Sequence, residues 1–325
     1  MEVYNSRMAM IAKNIALERA QSTRDRADAL GFDACGFASA AEAIDPENRL
    51  GEWLERGFHA DMAWMARTAG LRRDAQEKLP GLRSVVVLAR NYYAGRPPEG
   101  AGSGRVARYA WGRDYHKVLR KPLIELARHI ESLEPGARTY ASVDTGPVLE
   151  RAWAQRAGVG AIGKHSLALR RDMGSWFFLA TILSTVELEP DAPADDICGT
   201  CRLCIDACPT SAIVEPRVVD SQRCISYQTI ENRGEIPQDL HTGHGDWVFG
   251  CDVCQEVCPW NRFATTTTQE DFLPIAGHAN PDLDALMGLD EKSFHAEFAG
   301  TTIRRAKHAG MMRNAAIAKA NQTQA

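Results

Sequence analysis

The period of the hydrophobic positions changes several times along this chain. Met8, Ile11, Ile15 and Leu17 recur at roughly helical spacing and predict an N-terminal helix stopped by Gly31, after which the apolar run Phe32 to Phe37 predicts a strand. A second helical pattern covers Leu50 to Met65, with Trp53, Leu54, Phe58, Met62, Trp64 and Met65 on one face, and reads as core. The β-branched run Ser84 to Leu88 predicts a strand, and so do Arg138 to Val143 and Trp176 to Leu183. Gly95, Arg96, Pro97, Pro98, Glu99 and Gly100, followed by Gly102 and Gly104, predict a flexible loop. Asp144-Thr145-Gly146-Pro147 reads as a cap and a first-turn proline for a helix over Val148 to Ala157, with Gly158 as its stop. Strands alternating with helices give an α/β or α+β first part.

Glu187, Glu189, Asp191, Asp195 and Asp196, interrupted by Pro190 and Pro193, mark an acidic linker and a domain boundary. The resulting segments are 1–190, 191–262 and 263–325. The last ends in a basic stretch, Ile303 to Ala320, with Arg304, Arg305, Lys307, Arg313 and Lys319 and no acid. Composition narrows the class: 325 residues, 45% hydrophobic and 25% charged, describe a globular chain too apolar for disorder. No apolar run approaches the roughly 18 residues of a membrane span, and the first residues mix charge into their apolar pattern, so a cytoplasmic protein without a membrane partner is expected. A net charge of -4 excludes a surface that is basic throughout, while leaving local basic patches. One such patch is Arg105, Arg108, Arg113, Lys117, Arg120 and Lys121, interleaved with Tyr109, Trp111 and Tyr115.

The cysteines change the picture most. Of nine, eight fall between Cys198 and Cys258, and only Cys35, in an apolar strand, stands apart as a buried inert thiol. This clustering points to metal or cluster ligation in a reducing compartment rather than to a disulfide framework. Cys198-x2-Cys201-x2-Cys204-x3-Cys208-Pro209 is the bacterial ferredoxin spacing, in which three thiolates hold one cluster and the fourth belongs to a second. Cys251-x2-Cys254-x3-Cys258-Pro259 repeats the later half, with Val248 where a first cysteine would stand and Cys224 left to replace it. Crossed ligation then gives Cys198, Cys201, Cys204 and Cys258 to one 4Fe-4S cluster, and Cys208, Cys224, Cys251 and Cys254 to the other. A zinc ribbon of Cys198, Cys201, Cys251 and Cys254 would strand four cysteines. Two clusters beside a larger apolar domain are most economically an electron conduit into an active site. His241 and His244, in a Gly-rich loop without spare ligands nearby, read as a solvated turn, and Lys164 as a phosphate or cofactor contact or a surface lysine.

Further stretches resemble one family. They are Tyr109 to His116, Asp144-x2-Pro147-x2-Glu150, Gly163-Lys164-His165-Ser166-Leu167, Gly174 to Phe178, Cys224-Ile225-Ser226-Tyr227 and Cys258-Pro259-Trp260-Asn261. Together with the cysteines the chain resembles the epoxyqueuosine reductases, cobalamin-dependent iron-sulfur oxidoreductases of tRNA modification, over roughly Gly31 to Lys319. The resemblance implies a nitroreductase-like cobalamin-binding domain, a ferredoxin-like two-cluster module and a short helical-repeat tail of HEAT type contacting tRNA. It implies reduction of epoxyqueuosine at the wobble position of tRNA to queuosine, by a monomer fed from an external low-potential donor. Ala161 departs from the family, whose members usually carry an aromatic there.

Removing an epoxide oxygen to leave an alkene takes two electrons and two protons, hence a strong reductant and an acid at the oxygen. The resemblance makes cobalamin the reductant and Asp144 the acid; by residue type alone Asp144 is as readily a helix cap. A proton donor needs a raised pKa, expected only once the site is loaded. By family position Arg67, Tyr109, His165, Ser175, Ser226 and Asp252 are corrin contacts beside Asp144. Arg105 to Lys121 and Arg304 to Lys319 are the RNA-binding candidates. Two alternatives stay open: a cobalamin-dependent reductive dehalogenase acting on a small molecule, and a non-catalytic iron-sulfur electron carrier.

Overall fold

In a computed structural model the chain is described over residues 2–96 and 104–324; the centre of the predicted flexible loop, 97–103, lies outside the described residues. The three strand-like runs and the N-terminal one assemble into a single sheet. Its strands are β1 (Ala34–Ser39), β2 (Ser84–Asn91), β3 (Thr139–Ser142) and β4 (Phe177–Ser184), in spatial order β1-β2-β4-β3, every neighbouring pair antiparallel. Phe37, Val86, Ile182 and Ala141 lie in one row across it. Val86, Leu88, Phe178, Ala180 and Ile182 face helices α1 (Glu2–Ala29) and α2 (Tyr115–Ser132), meeting Leu119, Leu123, Leu126 and Ile130. Val85, Val87, Ala89, Phe177 and Leu183 face the opposite layer, meeting Trp153 and Ala154 of α3 (Glu150–Arg156). Burial on both faces is why the central strands read as continuous apolar runs rather than alternating ones.

The apolar residues of two predicted helical stretches do not form core. The N-terminal helix forms, but Met8, Ile11, Ile15 and Leu17 are exposed, and its buried stripe is Ala16, Ala20, Thr23 and Ala27. Small side chains at spacings of three and four let α1 approach α2 and β1 closely, which a hydrophobicity pattern alone does not favour. The stretch Leu50 to Met65 is not one helix but Arg49–Glu55 and Ala63–Arg67, parted by Gly57 and Ala60 with φ of 67° and 49°. Its side chains Trp53, Met62, Trp64 and Met65 line a cavity instead of a core. Asp144 caps nothing: α3 starts after Leu149 with no side-chain cap, and Asp144 has φ 57°.

The acidic linker is fastened down rather than loose. Asp191 accepts the Phe37 N–H at 2.9 Å and pairs with Arg24 at 3.0 Å, while Glu187 pairs with Arg83. Beyond it, α4 (Ile225–Ile230) and the C-terminal α5 (Lys307–Gln324) belong to a further core, where Trp111, Val248 and Phe249 meet Leu283, Leu286, Phe294, Ile303, Met311 and Ala315. Buried Asn314 of α5 donates its amide to the carbonyls of Thr229 and Val248, both at 2.9 Å. The C-terminal segment thus backs the cysteine-bearing loops. Among the described residues no helix is long and apolar enough to cross a membrane.

Candidate active site

Between the sheet, the cysteine loops and the C-terminal segment lies a cavity of about 2100 Å³. Ordinary small-molecule pockets hold roughly 300–1,000 Å³, so this one has room for a very large cofactor and a substrate group together. Tyr109, Asp144, His165, Ser175, Ser226 and Asp252 all stand on its wall. Arg67 does not: it is exposed, and Met65, Thr68 and Arg72 supply the wall on that side.

The eight clustered thiols divide into two groups. Cys204 feels the charges of Cys198, Cys258 and Cys201, and Cys254 those of Cys251, Cys224 and Cys208. The second group lines the cavity and the first does not. Among the described residues no three His, Cys, Asp or Glu side chains converge closely enough to hold a single metal ion. Local structure presents N–H groups to the sulfurs. Cys224 precedes α4 and faces the N–H groups of Tyr227 and Ser226, and Cys258 precedes the turn Pro259–Phe263 and faces those of Trp260 and Asn261. The Cys198 sulfur accepts the Lys164 N–H at 3.4 Å, and that of Cys208 the Ala212 N–H at 3.2 Å. Such hydrogen bonds are the means by which a protein tunes a thiolate-held cluster.

Asp144 sits at the end of β3 on a left-handed residue, its side chain 63% exposed towards the open cavity. Tyr115 donates its hydroxyl to Oδ2 at 3.0 Å, and His116 Nε2 lies 3.5 Å from the same oxygen. The other ring nitrogen, Nδ1, is 2.8 Å from Asp114 Oδ1, so an Asp114–His116–Asp144 chain runs into the cavity. Desolvation works to raise the Asp144 pKa, but His116, Tyr115 and Arg151 outweigh it and hold the carboxyl below its ordinary range. Desolvation likewise opposes the charged imidazole, yet the two carboxylates push His116 up to about 9. The proton of this chain therefore rests on His116. Glu150 accepts the Asp144 backbone N–H at 2.9 Å, and burial, then the Asp144 charge, pushes its own carboxyl up to about 8.

The other wall residues are differently equipped. His165 is 4% exposed and accepts the Leu167 N–H at Nδ1, leaving Nε2 as a buried donor with no partner; desolvation, aided by Arg151, lowers it to about 4. Ser175 is clamped by Asn261 and Gln255, both at 3.0 Å from its hydroxyl. Asp252 binds the N–H and guanidinium of buried Arg108; burial lifts it to about 6 against that pairing. Sequence reasoning missed His116 and Glu150 as site residues, whose only signal was their place inside the family-like stretches, and read Arg108 as part of a basic patch rather than as the partner of Asp252. The Lys164 ammonium is held by the Gly199 and Cys201 carbonyls at 2.6 and 2.7 Å rather than standing free at the surface. His244 is buried with neither ring nitrogen partnered and lowered to about 4 by desolvation, so the predicted solvated turn is a short packed helix, His241–His244. Cys35 is pushed up to about 12 by burial, as an inert thiol should be.

The basic stretches divide as well. Arg105 and Arg108 pair with Glu256, Arg113 with Asp271, and Arg313 donates to backbone carbonyls including that of Gln228. Lys117, Arg120, Arg304, Arg305 and Lys307 line the cavity, so the two stretches converge there.

Thiol grouping, cavity and relay define a redox protein with a cluster-bearing wall, and comparison with known proteins agrees: residues 197–261 match the family described as 4Fe-4S double cluster binding domain. Residues 72–145, ending one residue past Asp144, match the family described as epoxyqueuosine reductase QueG, DUF1730. An epoxyqueuosine reductase from Gloeobacter violaceus is 46% identical over 91% of this chain and 94% of its own. A crystal structure of epoxyqueuosine reductase with an epoxyqueuosine-modified tRNA stem loop superposes with TM-score 0.84 at 31% identity, covering 93% of this chain and 80% of that one. The Bacillus subtilis enzyme, with its catalytic aspartate loop swung out of the active site, gives 0.84 at 30% identity over 94% and 82%. This chain belongs to the epoxyqueuosine reductase family.

Proposed function

We propose that the protein reduces epoxyqueuosine to queuosine at the wobble position of tRNA, with cobalamin in the cavity and Asp144 delivering the proton to the leaving oxygen. The observation that carries this reading is the Asp114–His116–Asp144 chain ending in a cavity whose wall also holds four cysteines. The fit to cobalamin rests on the size of that cavity and on the unpartnered, buried Nε2–H of His165, a donor suited to an amide or phosphate of the cofactor. Tyr109, Ser175, Ser226 and Asp252 would complete its cradle. Arg67, exposed and off the wall, would reach it only through side-chain movement. When bound, cobalamin supplies the strong reductant that carbon–oxygen cleavage needs.

The residues of this chain supply the protons. Asp144 rests ionised, so its proton arrives from His116 Nε2 as negative charge gathers on the epoxide oxygen. Asp114 holds the imidazole in orientation through Nδ1, and Tyr115 fixes the Asp144 carboxylate. Glu150 keeps a second proton near neutrality and anchors the Asp144 backbone. The catalytic loop aspartate of the Bacillus subtilis relative supports giving Asp144 this role.

Under crossed ligation Cys208, Cys224, Cys251 and Cys254, which line the cavity, would hold one cluster and Cys198, Cys201, Cys204 and Cys258 the other, and the pair would supply single electrons to the site. The stem loop bound by the relative supports tRNA as substrate, received where Lys117, Arg120, Arg304 and Lys307 meet. On this reading 1–190 is a nitroreductase-like cobalamin domain, 191–262 the ferredoxin-like module and 263–325 a HEAT-like tail. The protein acts as a cytoplasmic monomer fed by an external low-potential donor.

The test is anaerobic turnover of an anticodon stem loop carrying epoxyqueuosine. Asp144→Asn should keep iron and cobalamin yet lose about 100-fold or more in turnover, the scale of a removed general acid. Near-normal turnover would take Asp144 out of the acid role.

A further inference from the structure

The thiol group of Cys198, Cys201, Cys204 and Cys258 has no share in the cavity wall, so its outer side is the one from which electrons can enter. The surface there is unlike ordinary solvated surface. Leu203, next to Cys204, is 50% exposed, and Phe263, five residues after Cys258, is 45% exposed. Trp260 ties this patch to the cluster loop by donating its indole N–H to the Ile197 carbonyl at 3.0 Å, and its ring lies 6.1 Å from that of Phe263.

Two guanidinium groups lie on these rings, Arg171 5.0 Å from the centre of Trp260 and Arg262 4.6 Å from that of Phe263. Neither has a carboxylate partner among the described residues, whereas the acids around them are compensated: Asp172 by Arg170, Asp196 by Arg217 and Asp206 by Arg202. Asp195 is the one acid of this stretch without a cationic partner among the described residues, against Arg171, Arg262 and Lys164. An apolar centre with aromatic and arginine groups and an uncompensated positive rim is the composition of a protein-docking surface.

We infer that this face receives an acidic, low-potential one-electron carrier protein, seated on Leu203, Trp260 and Phe263 and steered by Arg171 and Arg262. The inference rests on the reading of these four thiols as cluster ligands. In the step itself one electron leaves the reduced carrier, which is oxidised by one, and enters the oxidised cluster; no atom is transferred.

The experiment uses the full chain with both clusters reconstituted, and reduced flavodoxin as the probe. Affinity for flavodoxin and the rate of cluster bleaching are measured at low and high salt, beside reduction by photoexcited deazariboflavin, which needs no docking face. Arg171→Glu with Arg262→Glu should slow bleaching by flavodoxin about tenfold or more at low salt and weaken its binding. The gap should close at high salt, as steering between exposed charges does. Phe263→Ser should weaken binding at both salt levels, and deazariboflavin should reduce every variant at the parent rate. Unchanged affinity and bleaching by flavodoxin would overturn the assignment, and so would an equal slowing by deazariboflavin, which would place the defect in the cluster. Iron analysis separates these from failure of the underlying reading: a parent protein holding no clusters overturns that reading and the docking face with it.

Discussion

His116 stands between two carboxylates, 2.8 Å from Asp114 and 3.5 Å from Asp144, and that placement decides how the site handles protons. The imidazole, raised to about 9, keeps its proton below that pH and loses it as pH rises through it, so turnover should decline on the alkaline side, first as Glu150 ionises near 8 and then as His116 loses its proton near 9. His116→Gln should lower kcat about tenfold or more with little change in KM, and should move the alkaline decline to lower pH. A purely structural role would leave the position of that limb unchanged. A pH–rate profile of both proteins decides between them, and an unmoved limb would contradict the relay. Spacing and family-like stretches singled out Asp144 and the cysteines in the sequence, and the fold sets Asp144 and four of those cysteines on the cavity wall. The relay was not legible, because His116 opens α2, 28 residues from Asp144, and only the tertiary fold brings the two together.

At the level of elements, the cysteines work because short helices begin at or beside them. Cys224 is the least motif-like of the eight, yet it precedes α4 with two backbone N–H groups turned towards its sulfur. Cys224→Ala should remove about one cluster's iron, read by iron and sulfide analysis; no loss would refute the crossed assignment. Nearby, Gly174 has φ 63°, and a Cβ there would stand 1.9 Å from Asn261 Oδ1. That oxygen accepts the Ser175 N–H at 2.6 Å, so Gly174→Ala should cost about 1–3 kcal/mol and lower the melting temperature. The same scale shows what a pattern of apolar residues conveys. The buried strands were read within a few residues of their ends, since two-sided burial leaves uninterrupted apolar runs. The stripe from Trp53 to Met65 was misread because a cavity wall and a core demand the same residue types. The buried face of α1 was not legible because it packs through alanines.

For the whole molecule, the site belongs to no single segment. The sheet and its loops bring Asp144, His165 and Ser175, the cysteine loops bring Ser226, Asp252 and four thiols, and the C-terminal segment brings Arg304, Arg305 and Lys307 to one cavity. Linear boundaries drawn from the acidic linker do not convey this, because Trp111 and Val106 of the first segment share a core with the last. On the proposed reading, this cavity, with four cysteines on its wall, houses a large redox cofactor. The most direct test is therefore nucleoside mass spectrometry of epoxyqueuosine-containing tRNA after anaerobic incubation with the reduced, cluster-loaded protein, with and without added cobalamin. The account predicts conversion to queuosine only when cobalamin is present. Conversion at the same rate without it, or none by protein shown to hold both clusters and cobalamin, would contradict it.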